Sequence, residues 1–153
     1  VSLNPNWAAT LMLAKGLEVS VRLHYLYNAR NSRPTNPPFA LMMMPGAIVE
    51  SAQAGQSVWS NFAASFEIIQ RLHIGANGYY FRQLTVDTYR LVNGTEIDAD
   101  TLGEGKAQVL GIGPGLMWQA SQADILFANL YFDLLVQARA ASTVANLRWI
   151  HTL

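Results

Sequence analysis

Residues 17–28, Leu17-Glu18-Val19-Ser20-Val21-Arg22-Leu23-His24-Tyr25-Leu26-Tyr27-Asn28, alternate between an apolar side and a polar side. Leu17, Val19, Val21, Leu23, Tyr25 and Tyr27 share one side, and Glu18, Ser20, Arg22, His24 and Asn28 share the other. A period of two predicts a β-strand, because successive side chains of extended backbone point to opposite faces. At this length the strand is about twice the usual one in a soluble domain. Six further stretches predict strands at 7–13, 57–69, 72–84, 106–119, 125–137 and 143–153. Tight turns join the first strand to the second, the third to the fourth and the fifth to the sixth, and a short link leads to the last. The connections 29–56 and 85–105 are far longer than ordinary hairpin loops. In an up-and-down meander alternate connections lie at one end, so the tight turns gather at one side and the long loops at the other. This asymmetry predicts an all-β fold, a transmembrane antiparallel up-and-down β-barrel.

The composition is compatible with that reading. The chain has 153 residues, expected to form a single β-barrel domain over 1–153, and its ten basic residues balance ten acidic ones. No net charge steers it to nucleic acid, so no nucleic-acid partner is expected. Charged residues are 13% of the chain, about half the globular norm. Hydrophobic residues reach 51%, yet no uninterrupted apolar run approaches the ~18 residues of a transmembrane helix. A barrel hides its hydrophobicity in alternate positions. Cysteine is absent, which removes disulfides and thiolate metal sites.

Alternation sorts the side chains into two faces. A charge in lipid costs about 2–4 kcal/mol near the midplane, so in a membrane barrel the polar face is the inner one. The expected pore-lining residues are Arg22, His24, Asn61, Glu67, His73, Asn77, Tyr79, Asn129, Tyr131, Asp133 and Arg148. Gly75, Gly111, Gly113 and Gly115 fall on the same face and leave room there. On the apolar face Tyr25, Tyr27 and Tyr80 sit near the long-loop ends, and Trp118 and Trp149 near the short-turn ends. Amphipathic rings prefer the headgroup level, so these positions read as two girdles. A soluble lipocalin-like ligand-binding barrel inverts the facing, and periodicity alone leaves both open.

Chemistry-bearing motifs are sparse. A turn near Gln70 places Glu67 opposite His73, within cross-strand reach. Such a pair serves as a general base in an outer-membrane enzyme or as a structural hydrogen bond, and the second is the expectation. Arg22 with His24, and Arg148 with Asn146, are placed to tune selectivity or to form interior salt bridges. Gly103-Glu104-Gly105-Lys106 lacks the spacing of a phosphate loop, and the Gly111-x-Gly113-x-Gly115 run opens no helix. Glu96, Asp98, Asp100 and Glu104 carry oxygens of the kind that ligate Ca²⁺, an alternative that stays open beside the expected reading of a solvated loop face, and no metal site or catalytic residue is expected. The segment 39–49 is apolar between polar flanks. Phe39, Leu41, Met42, Met43 and Met44 read in three ways, as a constriction at the barrel mouth, as a patch on the membrane surface or as structural packing against loop aromatics, and three methionines offer an adaptable apolar surface.

Three segments carry a resemblance to a known family. They are Gly16-Leu17-Glu18-Val19-Ser20, the run Ile74-Gly75-Ala76-Asn77-Gly78-Tyr79-Tyr80-Phe81-Arg82-Gln83-Leu84, and Val109-Leu110-Gly111-Ile112-Gly113-Pro114-Gly115. In order and spacing the chain resembles the bacterial outer-membrane channels described as transporters of the meta-cleavage phenol-degradation pathway. The resemblance covers nearly the whole chain and corresponds to the C-terminal half of such a protein. It implies a monomeric, roughly twelve-stranded, porin-like barrel in the outer membrane of a Gram-negative bacterium. It also implies passive uptake of small hydrophobic or aromatic compounds, with lipid and solute as partners, no cofactor and no catalysis. An odd count of seven strands does not close a bacterial barrel, so further strands are expected on the N-terminal side.

Overall fold

The computed structural model describes residues 1–14, 16–32, 34, 41 and 44–152. In chain order its strands are β1 (Ser2–Leu3), β2 (Asn6–Ala14), β3 (Leu17–Asn28), β4 (Val49–Gln53), β5 (Ser57–Ile69) and β6 (Leu72–Gln83). Then come β7 (Thr88–Leu91), β8 (Glu96–Asp98), β9 (Gln108–Gln119), β10 (Asp124–Asp133) and β11 (Thr143–His151). One 3-10 turn, Ala99–Leu102, follows β8. No helix among the described residues is long and apolar enough to cross a membrane.

The long strands pair antiparallel with their neighbours in the order β3-β5-β6-β9-β10-β11, with β1 and β2 both on the outer side of β3. Ser2 stands opposite Asn28 and Asn6 opposite His24, so β1 and β2 keep one offset and act as a single strand interrupted at Asn4-Pro5. Pro5 has no N–H to give, but its carbonyl still accepts from the Tyr25 amide at 3.1 Å. Among the described residues β2 and β11 are not paired to each other, so the sheet is open, with two free edges, rather than closed as a barrel.

The sheet curls. Some Cα atoms of β6 and β10, with β9 between them, lie within 8 Å, closer than the about 9.5 Å that two strand spacings give in a flat sheet. Side chains of the polar face bridge that interval directly, the Asn77 amide reaching Asn129 Oδ1 at 2.5 Å. The polar face is therefore the concave one.

The turns carry local reasons. Gly16 takes a left-handed φ of 81° between β2 and β3, where a side chain would strain the backbone. Arg71, between β5 and β6, adopts φ 71° and is held by its amide donating to Glu67 Oε1 at 3.0 Å. Between β9 and β10 the Ser121 hydroxyl accepts from the Ala123 and Asp124 amides at 3.1 and 3.0 Å. These three turns lie at one end.

At the other end the two long connections build a structure that the alternation did not predict. β4 pairs with β7, and β7 pairs with β8 through a hairpin at Asn93-Gly94, so the loops form a three-stranded cap. Its small core holds Leu41, Tyr89, Leu91 and Ala99, with Val49, Ile97 and Leu102 packed around them. Arg30 pairs with Glu96 at 3.0 Å and Arg90 with Glu50 at 3.4 Å. Asp87 fastens the cap to the sheet: its carboxylate accepts from the Gly55 amide and from the Gln83 side chain, each at 2.7 Å. Burial, and then the Asp87 and Glu104 carboxylates, push the Tyr89 phenol up to about 12. Leu41 is 1% exposed inside this core beside Tyr89, the structural packing that was one reading of its segment. Phe39, Met42 and Met43 lie outside the described residues. Met44 is exposed and donates its amide to the Leu41 carbonyl at 3.2 Å.

The sixth predicted strand is shorter than expected, ending at Asp133 rather than 137. The Asp133 carboxylate Oδ2 accepts from the Ser142 amide and hydroxyl at 3.0 and 2.8 Å, and beyond it the chain stays beside β9 through the Leu134 amide on the Leu110 carbonyl and a single bridge between Gln137 and Gln108. The link to β11 accordingly runs from 134 to 142.

Leu41→Ala should cost the cap about 2–5 kcal/mol, read as faster proteolytic cleavage within 85–105 while far-ultraviolet dichroism of the long strands is unchanged. Raising pH should leave the cap intact through neutrality and loosen it only from 10.0 towards about 12, because the raised phenol pKa stabilises the protonated fold below that range and is lost above it.

Candidate functional site

Register places all of the expected polar residues on the concave face, in rows that cross the strands. Arg22 stands opposite Asn61, Asn61 opposite Tyr79, Tyr79 opposite Gly111, and Gly111 opposite Asp133. Nearer the tight turns Glu67 faces His73, then Met117, Phe127 and Arg148 follow across β9, β10 and β11. Between these rows lie Asn77 opposite Gly113, and Asn129 between Gly115 and Asn146. His24 is further up β3, opposite Trp59.

Every long strand lines one concave cavity of about 450 Å³, from Thr10 on β2 to Arg148 on β11. Arg22, Asn61, His73, Asn77, Asn129 and Tyr131 all border it. The glycines set its floor. A Cβ on Gly111 would overlap the Tyr79 ring, and one on Gly115 would sit 2.8 Å from Asn129 Oδ1 and 2.9 Å from the Asn77 amide. Their missing side chains let β6 side chains lie flat across β9 and reach β10.

Two hydrogen-bonded groups result. In one, the Asn77 amide donates to Asn129 Oδ1 at 2.5 Å and to the Tyr131 hydroxyl at 3.2 Å, and the Tyr131 ring meets Tyr79 edge-on at 5.6 Å. Asn77 Oδ1 has no hydrogen-bond partner among the described residues. In the other, the Tyr79 hydroxyl donates to Asp133, which also holds Ser142 and lies 4.0 Å from Arg139. Alternation pointed to Tyr79 and Asp133 but not to Arg139 or Ser142, which lie beyond the paired end of β10.

The Glu67–His73 pair forms in register but not in hydrogen bonding. Glu67 Oε1 is turned to the Arg71 amide, and His73 Nδ1 is buried with no partner among the described residues. The expected structural hydrogen bond is therefore replaced by a cap on the adjoining turn, and the pair does not show the contact that a general base would use. His24 stacks on Trp59, ring centroids 4.5 Å apart and planes within 8°. The Arg148 guanidinium lies over the Phe127 ring at 4.5 Å, an attraction worth about 0.5–1 kcal/mol when exposed. Among the described residues no group of three or more histidines or carboxylates is placed to hold a metal ion.

The opposite, apolar face is open. Leu23, Phe66, Ile74, Leu116, Trp118, Phe132, Leu147 and Trp149 all stand exposed, Leu147 at 80% and Trp149 at 67%. Aromatic residues mark both ends of this face. Tyr25 and Tyr27 lie beside the cap, and the Tyr25 hydroxyl donates to Gln56 at 2.5 Å. Trp118 and Trp149 lie in one cross-strand row by the tight turns, joined through Leu126. The Trp149 indole N–H and His151 both meet Asp124 Oδ1 at 2.9 Å.

A scan of protein families matches residues 1–149 to the family described as "Putative MetA-pathway of phenol degradation". The chain belongs to that family, as the resemblance of its glycine-rich segments led us to expect. No curated protein matches the chain.

Tyr79→Phe should remove a hydrogen bond to a buried carboxylate and cost about 1.5–3 kcal/mol, measured as a lower thermal midpoint in detergent. Asp133 keeps its Ser142 bonds, so the strand should still end at the same place.

Proposed function

We propose that this member of the family is part of an outer-membrane channel for passive uptake of small hydrophobic or aromatic compounds in a Gram-negative bacterium. The observation that carries the reading is the facing of the sheet. Long strands curl their ionisable and amide side chains into a concave cavity and leave a broad apolar surface outside. Contiguous exposed apolar area on this scale needs a non-aqueous neighbour or a partner. A lipocalin-like container requires the opposite facing, apolar within and polar without. The aromatic rows at both ends of the apolar surface suit headgroup layers on either side of a hydrocarbon band. The family assignment ties the chain to phenol degradation, in which small aromatic molecules must reach the cell interior.

In this reading the curled sheet is one wall of a barrel acting as a monomer, and both free edges must be paired, since lipid tolerates no unpaired strand edge. The tight turns face the periplasm and the cap faces outward. Solute diffuses down its gradient past the cap and along the amide- and tyrosine-lined interior. Asn77, Asn129, Tyr79 and Tyr131 offer hydrogen bonds and ring edges that a phenolic or other aromatic molecule can exchange quickly. No bond is made or broken and no cofactor takes part.

Expressed with a secretory leader in a Gram-negative host, the protein should fractionate with the outer membrane and resist extraction without detergent. It should migrate faster on gels before boiling than after, and raise the rate of toluene uptake above that of cells carrying an empty vector. A protein that stays in the aqueous fraction and adds no uptake would contradict the proposal.

A further inference from the structure

The apolar face carries almost no charge. Register sets the outward positions of the long strands, and among them only Asp124, His151 and Arg82 bear acidic or basic side chains. Asp124 and His151 answer each other at 2.9 Å by the tight turns. Arg82, at the cap end of β6, is exposed and has no ion-pair partner among the described residues. Its cross-strand row runs Tyr25, Val58, Arg82 and Gln108, with Gln56 hydrogen-bonded to Tyr25. No carboxylate stands in that row. The Gln83 amide donates to the Ala107 carbonyl at 2.8 Å, which carries the β6–β9 ladder one step further and brings Lys106, also exposed, level with Leu84.

The next outward row, one step closer to the middle of the sheet, is Trp7, Leu23, Ser60 and Tyr80. With Tyr25 and Val58 these residues line a groove of about 470 Å³, within the about 300–1,000 Å³ that ligand clefts span. Ser60 is the smallest member of its row and lowers the floor between Leu23 and Tyr80. Trp7, Leu23 and Tyr25 stand exposed along it. Arg82 follows Tyr80 on the same side of β6, about 7 Å further along the strand. A groove suited to hydrocarbon therefore ends on an unmatched cation.

We infer that this groove and Arg82 bind one phosphorylated lipid from the leaflet on the cap side, an acyl chain in the groove and the phosphate on the guanidinium. The inference rests on the membrane facing proposed above. A cation on a lipid-facing wall is tolerated near the interface, where it reaches water or an anion. The guanidinium presents a planar fork that holds two phosphate oxygens at once, and such charge-assisted bonds are about twice as strong as neutral ones. Lys106 adds positive potential beside it, and anionic headgroups are drawn to such charge at a membrane surface. Free phosphate would match Arg82 and leave the groove bare. A neutral lipid would fill the groove and leave Arg82 unmatched. A lipid that carries both parts satisfies both.

Native mass spectrometry of the full chain, released from a neutral detergent, tests it. The probes are lipid A, a glycolipid bearing two phosphates, and its dephosphorylated form. The wild type should hold one lipid A about tenfold more tightly than the dephosphorylated form. Arg82→Gln should lose about tenfold in affinity for lipid A and bind the two forms alike. Ser60→Phe, which fills the groove, should lose about fivefold or more for both forms. Arg90→Gln, which removes a cation paired with Glu50 in the cap, should stay within about twofold of the wild type. Gel migration before and after boiling checks that each variant is folded. Equal wild-type affinity for the two forms, or an unchanged preference in Arg82→Gln, overturns the site and leaves the channel standing. Displacement of the lipid by millimolar inorganic phosphate marks a bare anion site and overturns the lipid assignment. A second copy of the chain bound in its place, and lost in Ser60→Phe, makes the groove a protein interface and overturns it equally. A wild type that stays soluble without detergent and binds neither form overturns the membrane reading and the site together.

Discussion

Everything in this structure depends on register. Because side chains alternate with a period of two, a slip of one residue between neighbouring strands would exchange the two faces completely. Arg22, Asn61, Tyr79, Gly111 and Asp133 form one row only in the observed alignment. The penalty for a slip is shared among many positions, since each charge moved to the apolar side loses its hydration and each leucine moved inward loses its cover. The tight turns then set that register locally, with Gly16, Arg71 and Ser121 each fixing one hairpin.

The two ends of the sheet solve different problems. At the tight-turn end the chain reverses in a few residues, and the Asp124, Trp149 and His151 contacts tie β10 to β11. At the other end the long connections would leave many backbone groups unpaired. They pair with each other instead, through β4 and β7, and bury Leu41 and Tyr89 in a core of their own. The concave face follows a third rule. Its glycines are useful for what they lack, because only a side-chain-free β9 lets Asn77 and Tyr79 reach across to Asn129, Tyr131 and Asp133.

The long strands were legible in the sequence because alternation over ten or more residues has few other readings; β3 and β5 keep the predicted limits. The facing of the polar residues was legible for the same reason. The cap was not, because β4, β7 and β8 are three to five residues long, too short for a period to show. A signal existed nonetheless: Asn93-Gly94 between Thr88–Leu91 and Glu96–Asp98 is a hairpin turn sequence. Leu41 was left open between readings because its apolar neighbours suit a surface for solutes as well as a core, and its partners come from a loop nearly fifty residues away. The Glu67–His73 contact was read from register alone, and register does not say where a flexible carboxylate turns.

The central claim is that the apolar face meets lipid and the concave polar face meets water. Spin labels placed one at a time at Val19, Ser20, Val21, Arg22, Leu23 and His24 of the membrane-reconstituted protein test it most directly. Collision rates with oxygen, which concentrates in lipid, should peak at Val19, Val21 and Leu23. Collision rates with a water-soluble nickel chelate should peak at Ser20, Arg22 and His24. The opposite phase, or high nickel accessibility at all six positions, would contradict the account.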